Sequence, residues 1–194
     1  MTRISITETA HKLLCQTNLQ GACVVDATLG NGFDSVFLAE QIGPDGQLFG
    51  FDIQAQALQN TQERLQSQFP QSSSQLFQAS HAEMKSLIPS AWHGCIQVIM
   101  FNLGYLPGAD KSLITQTEST LTALNAACEL LAEQGMISVI AYPGHAGGAE
   151  ETQSLQDWCQ QLDPGRFSVE HIQTPHHKAN SPRLFVIRKQ PYLL

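Results

Sequence analysis

The sequence predicts an α/β protein: a seven-stranded, mostly parallel sheet with an antiparallel hairpin at one edge and helices on both faces. Three observations carry this. Apolar runs near 22–28, 47–53, 75–79, 95–102, 136–142, 167–173 and 183–189 read as strands. Helical patterns at about 34–42, 54–68, 82–88, 117–133 and 149–162 separate them, and crossovers of that length join parallel neighbours. Between the last two strands lies only Pro175-His176-His177-Lys178-Ala179-Asn180-Ser181-Pro182, too short for a crossover helix, so that pair closes as a hairpin. An opening helix over about Thr7 to Leu19 precedes the first strand.

The first strand, Ala22-Cys23-Val24-Val25-Asp26-Ala27, runs into Thr28-Leu29-Gly30-Asn31-Gly32-Phe33-Asp34 and then a helix. Strand, glycine loop and helix in that order form a nucleotide cradle, because glycines admit a ligand close to the backbone and a helix start offers N–H donors. The second strand ends at Asp52, twenty residues beyond Gly32, where a carboxylate can take both hydroxyls of a ribose. Loop and acid fit either a dinucleotide or S-adenosylmethionine. As a dinucleotide fingerprint the loop carries Ser35 at the third glycine position and Asp34 at the helix entrance, where an acid repels a pyrophosphate. Beside a ligand bearing a sulfonium and an ammonium the same Asp34 has opposite charges to face. S-adenosylmethionine is therefore the expected cofactor, and a nicotinamide-dependent oxidoreductase stays as the alternative.

The fourth strand, Cys95 to Phe101, delivers Asn102-Leu103-Gly104-Tyr105-Leu106-Pro107 to the carboxyl edge of the sheet, where ligands bind in such folds. An Asn there accepts a hydrogen bond from a substrate N–H through its side-chain oxygen, and Tyr105 offers an aromatic face. That arrangement orients a nitrogen lone pair, and an ordinary Gly and Pro turn is the bland reading. The fifth strand leads to Tyr142-Pro143-Gly144-His145 on the same edge. A histidine can take a proton near neutral pH, whereas a tyrosine more often orients or stacks.

At 194 residues and 42% apolar content the chain can bury one sizeable core, so a single domain over 1–194 is expected. It shows no internal repeat, signal peptide or membrane-length apolar run, which leads to a cytoplasmic expectation. Cys15, Cys23, Cys95, Cys128 and Cys159 form no C-x-x-C pair and read as buried thiols, so no metal is expected.

The segments Asp26 to Asp34, Asn102-Leu103-Gly104-Tyr105-Leu106-Pro107-Gly108, and Tyr142-Pro143-Gly144-His145-Ala146-Gly147-Gly148 with Glu150 give the chain a resemblance to Rossmann-like class I S-adenosylmethionine-dependent methyltransferases. Within that class it resembles the YtqB-like family, earlier grouped as rRNA methylases, over nearly its whole length. Members resembling this chain are tRNA 5-aminomethyl-2-thiouridine methyltransferases (the MnmM type), which methylate the aminomethyl nitrogen of the wobble uridine. The resemblance implies cofactor contacts at Gly30, Asn31, Asp34, Asp52 and Gln54, with His81 flanking the adenine. Thr28 departs from the common methyltransferase loop, which has glycine there. Asn102, Tyr142 and His145 are the expected catalytic set, with Asn102 the principal orienting group. An rRNA base or another amine would satisfy the same motifs, and a non-catalytic partner on this fold is disfavoured by the intact loop, acid and Asn102.

A net charge of −7 argues against a generic nucleic-acid coat. From Pro164 onward, however, Arg166, Lys178, Arg183, Arg188 and Lys189 face one acid, Glu170, and this edge is the candidate RNA surface. Lys178 and Arg183, with Tyr105, Lys111 and Thr115 from the Asn102 loop, are the expected substrate contacts, and the anticodon stem-loop of a tRNA is the expected partner. A homodimer is compatible with the sequence.

Overall fold

The computed structural model describes residues 5–104, 115–173 and 178–191. The helices are α1 (Ile6–Leu14), α2 (Phe33–Ile42), α3 (Ala55–Gln68), α4 (Met84–Leu87), α5 (Thr117–Leu130) and α6 (Gly148–Gln161). The strands are β1 (Cys23–Asp26), β2 (Gln47–Asp52), β3 (Ser73–Gln78), β4 (Ile96–Asn102), β5 (Leu131–Ala141), β6 (Phe167–Gln173) and β7 (Arg183–Lys189). They form one sheet in the order β3-β2-β1-β4-β5-β7-β6. The first five strands are mutually parallel, and β7 lies antiparallel to both β5 and β6, as the crossover lengths predict.

Alternation along the strands sends successive side chains to opposite faces, and both faces are covered. Val25, Phe49 and Ile99 pack with Ala123, Leu124, Leu155 and Trp158 from α5 and α6. Their neighbours Val24, Leu48 and Val98 pack on the other side with Ala10, Leu14 and Leu38 from α1 and α2. Burying a side chain such as Phe49 or Leu48 contributes roughly 1.5–3 kcal/mol, so the two layers hold the carboxyl ends of β1, β2, β4 and β5 in a fixed array.

Several boundaries differ from the sequence reading. Helix α1 stops at Leu14, because Cys15 caps it and Gln16-Thr17-Asn18 favour turns over helix. The stretch expected as a helix at 82–88 is a 3-10 turn, His81–Glu83, joined to the short α4. Ser80 and Glu83 form a capping box there, and Pro89 follows the end. Helix α5 ends at Leu130, not 133, and β5 starts early at Leu131 through a register break in which Gln134 has a φ of 63°. The cysteines also divide: Cys23 and Cys159 are buried, but Cys15 and Cys95 are exposed, one capping α1 and one just ahead of β4. The described residues contain no group of His, Cys, Asp or Glu arranged to hold a metal, and no helix long and apolar enough to cross a membrane.

The β5 exit turns sharply. A Cβ on Gly148 would lie 2.2 Å from the Tyr142 carbonyl oxygen and 2.9 Å from the His145 ring, so the Tyr142–His145 turn can close onto α6 only over glycine. Gly148→Ala should therefore cost about 1–3 kcal/mol through forced displacement of backbone, read as a lowered urea midpoint at unchanged m-value; an unchanged midpoint would show that the turn has slack.

Candidate active site

The cofactor loop is built on buried carboxylates. Asp26 ends β1 with 1% of its surface exposed. It accepts from the Ser35 hydroxyl at 2.6 Å and from the Thr28 N–H at 3.2 Å, tying the loop to the first turn of α2. Burial raises its pKa, and Asp34 and Asp52 nearby raise it further. Asp52 accepts from the Gly30 N–H at 3.0 Å and from the Gln54 N–H at 2.9 Å, so β2 fixes the loop from the other side. Each Asp52 oxygen keeps a second lone pair for a hydroxyl. Ile53 beside it is 52% exposed, an apolar surface of the kind an adenine covers.

Gly30 and Gly32 have φ values of 52° and 79°, and a Cβ on Gly32 would lie 2.8 Å from the Thr61 backbone of α3. The loop thus leaves its backbone close to the sheet edge, the shape a nucleotide-bearing ligand needs. The Asn31 side chain accepts from Asn60 at 3.1 Å and points to α3, which leaves its backbone for the ligand.

Asn102 lies at the end of β4, next to β1, and is held at two points. Its backbone N–H donates to the Thr28 hydroxyl at 2.7 Å. Its side-chain nitrogen donates to Asp34 at 3.2 Å. A carboxylate can only accept, so the nitrogen must face Asp34 and the oxygen Oδ1 must face away. Thr28, the departure from a glycine loop, thereby gains a purpose: its hydroxyl joins the loop after β1 to the end of β4.

Asp34 is 8% exposed and does not simply face outward to a ligand. Its other oxygen is 2.7 Å from Nε2 of His11, and the His11 ring stacks on Phe37 at 3.8 Å. Tyr142 is half-buried, with the Thr7 side chain beside its phenol. Burial raises its pKa, Thr7 opposes that, and Asp34 adds to the rise, so the phenol stays protonated. His145 places Nδ1 2.9 Å from the Ala146 carbonyl, which can only accept, so Nδ1 donates, and Nε2 is buried within the turn. That Nε2 lies 3.5 Å from where a Gly104 Cβ would stand, so the loops after β4 and β5 meet.

Other expected residues fall elsewhere. His81 is 7% exposed, its ring edge-on to Phe101 and beside the Ala27 backbone with Nε2 buried, so it packs beneath the cofactor loop. The Thr115 hydroxyl receives the Gly104 N–H at 3.0 Å and donates to buried Glu151 at 2.9 Å. It fastens the Asn102 loop to α6. Tyr105 and Lys111 lie outside the described residues.

The basic edge is not one surface. Arg183 pairs with Ala141 and Gln173 at the active-site end, whereas Arg188 and Lys189 pair with Met136, Ser168 and Phe167 toward the opposite end, and Lys189 bonds to Glu133 and to the Leu131 carbonyl. Lys178 is exposed at the turn whose Asn180 packs against Gly144, beside the His145 loop. Arg183 is half-buried and reaches Gln156 at 3.5 Å. Sequence reasoning missed Asp26, Thr7 and His11. An acid closing an apolar strand signals the first, and Thr7 and His11 share one helix face at i, i+4 spacing.

Two predictions follow from these contacts. Thr28→Val keeps the shape but strands the Asn102 N–H, so it should cost about 1–3 kcal/mol, while Thr28→Ser should stay near wild type in the same urea titration. Burial pushes the His81 imidazole down to about 4 from an ordinary 6.5. Between those values the unfolded chain takes a proton that the folded chain refuses, so stability falls as pH drops from 6.5 towards 4, by up to roughly 3 kcal/mol. The raised Asp26 works in the opposite sense, losing its contribution as pH rises. His81→Asn should flatten the acid limb relative to wild type, and parallel stability curves would refute the assignment.

Comparison with known proteins agrees with this geometry. A Clostridium thermocellum protein described as a "putative rRNA-methylase" superposes with a TM-score of 0.90 at 34% identity, covering 97% of this chain and 100% of that one. A Streptococcus mutans "putative methyltransferase", solved in complex with SAH, superposes at 0.83 with 32% identity over 97% and 99% of the two chains. The Arabidopsis thaliana chloroplastic tRNA (mnm(5)s(2)U34)-methyltransferase is 35% identical over 162 residues, 79% of this chain, and this chain spans 58% of that relative's length. The sequence profile of the family described as "Putative rRNA methylase" matches residues 48–188, and the chain belongs to that family, on the class I methyltransferase fold.

Proposed function

We propose that this protein is an S-adenosylmethionine-dependent N-methyltransferase that methylates the aminomethyl nitrogen of 5-aminomethyl-(2-thio)uridine at the tRNA wobble position, giving the 5-methylaminomethyl product. The carrying observation is the Asn102 amide, held with Oδ1 turned away from Asp34 at the edge shared by the cofactor loop and the β5 loop. The Streptococcus mutans relative bound to SAH supports the cofactor, and the Arabidopsis thaliana relative supports the tRNA substrate.

The residues present fit the cofactor. Backbone of Gly30 and Asn31 would cradle it, Asp52 and Gln54 would hold the ribose, and exposed Ile53 would cover the adenine. His81 supports this floor from beneath. When bound, S-adenosylmethionine supplies an electrophilic methyl carbon on a sulfonium. The chain's part is placement of the amine, which carries much of the rate. An alkylamine with a reference pKa of about 10.4 is mostly protonated at neutral pH, and its lone pair must be freed before it attacks. Asn102 Oδ1 accepts one N–H and directs the lone pair, Tyr142 orients as a neutral phenol, and His145, on the loop after β5, assists release of the substrate proton. Lys178 and Arg183 at the active-site end of the hairpin receive the anticodon stem-loop.

The family description favours rRNA as the second reading. Nucleoside mass spectrometry decides between them. Incubation of bulk tRNA carrying 5-aminomethyl-2-thiouridine with this protein and S-adenosylmethionine should add one methyl to that nucleoside, and Asn102→Ala should lower turnover about 100-fold or more with cofactor affinity retained. Methylation confined to rRNA would overturn the tRNA assignment.

A further inference from the structure

Helix α1 precedes the sheet, yet one of its faces reaches the catalytic edge. Ile6, Ala10 and Leu14 are buried and dock the helix, while a Ser5/Glu8 capping box fixes its first turn. Docked this way, the helix turns Thr7 to Tyr142 and His11 to Asp34. Both contacts cross from the first helix to groups already placed at the site.

The His11 ring is held flat against Phe37, with an interplanar angle of 2°. Stacking fixes the ring plane and aims Nε2 at Asp34 Oδ1, 2.7 Å away. Because a carboxylate only accepts, that nitrogen carries the proton and donates it. Asp34 Oδ2 then receives the Asn102 amide nitrogen at 3.2 Å. The Asp34 carboxylate thus has a donor on each oxygen and little rotational freedom.

We propose that His11 is a positioning residue: through Asp34 it fixes the Asn102 amide, so that Oδ1 is held as the acceptor for the substrate amine. The proposal rests on the reading of Asn102 as the amine-orienting group. Without His11, the carboxylate can rotate about its terminal bond and the amide can turn over. An overturned amide presents N–H donors to the amine and repels the hydrogen it should accept. Asp34→Asn would have the same consequence by another route, because its amide can face Asn102 with a donor.

The test has two arms. In the first, the full-length protein is labelled with nitrogen-15, and the Asn102 side-chain NH2 pair is identified by its loss in Asn102→Ala. In wild type that pair should be rigid, with a high heteronuclear NOE. His11→Leu, which keeps packing on Phe37 but has no donor, should make it mobile, and His11→Gln, which restores a donor near the Nε2 position, should return it. An unchanged pair in His11→Leu would overturn the proposal. If His11→Leu does not fold, Asp34→Asn is read in the same way.

The second arm measures methyl transfer to tRNA. His11→Leu should lower kcat about 10-fold or more with the KM for S-adenosylmethionine within about twofold, and His11→Gln should recover most of the loss. Combined with Asn102→Ala, His11→Leu should have no further effect, because its influence passes through that amide. Additive losses would mean that His11 acts only by holding α1, and would sink the idea. A wild-type protein that leaves the tRNA unmethylated would refute the substrate reading, while the amide resonance still decides the role of His11.

Discussion

The site depends on one constraint: an amide side chain must be held with its oxygen outward at the end of a parallel strand. The backbone of Asn102 is bonded to Thr28 and its side chain to Asp34. Both partners belong to the cofactor loop and the helix that follows it. Sheet order makes this possible, since β1 and β4 are adjacent and Asp26 pairs with Met100, two residues before Asn102. The loop that would carry the cofactor and the residue that would aim the amine are therefore one rigid unit, and a shift in either moves both. In-line transfer demands that coupling, because the distance between donor carbon and acceptor nitrogen governs the reaction.

Electrostatics reinforce the same arrangement. Asp26, Asp34 and Asp52 surround the glycine loop, close enough that the latter two raise the pKa of the first. A cluster of acids on a phosphate-binding loop would repel a pyrophosphate, and a ligand with a sulfonium and an ammonium relieves it. The protein limits the strain internally: burial holds Asp26 towards its neutral form, Ser35 donates to it, and His11 and Asn102 donate to Asp34. Replacing a glycine by Thr28 fits this pattern, since its hydroxyl takes an N–H that no strand partner would otherwise receive.

Local pattern made much of this visible. Apolar runs and crossover length gave a mostly parallel seven-stranded sheet with an antiparallel edge pair, and the ends of β1, β2, β4 and β5 marked the loops on which Asp52, Asn102 and Tyr142 lie. What pattern could not show was contact across the sheet. His11 meets Asp34 only because α1 docks beneath β5 and β7, and nothing in the spacing of Thr7 and His11 distinguishes a functional face from a solvated one. His81 follows a strand as an adenine-facing residue should, but the 3-10 turn that begins at it rotates the ring inward against Phe101. The basic tail misled for a geometric reason: an antiparallel strand carries Arg183 and Lys189 to opposite ends of the sheet, so residues close in sequence serve different edges.

That division bears on how an acidic protein can engage RNA. A chain of net charge −7 gains little from a broad phosphate coat, and its contacts must be few and near the reacting base. The hairpin meets this need. Its turn holds exposed Lys178 through a bond from the Lys178 N–H to the Ser181 hydroxyl, and Asn180 in the same turn packs on Gly144, one residue from His145. Under the proposed function, a phosphate held at Lys178 would be referenced to the loop after β5, so binding and chemistry would share a frame. The cations at the far end of β7 are spent otherwise, with Lys189 on Glu133 and on the Leu131 carbonyl at the irregular start of β5. That contact ties β7 to β5, whereas Lys178 and Arg183 lie at the end where the proposed amine would be placed.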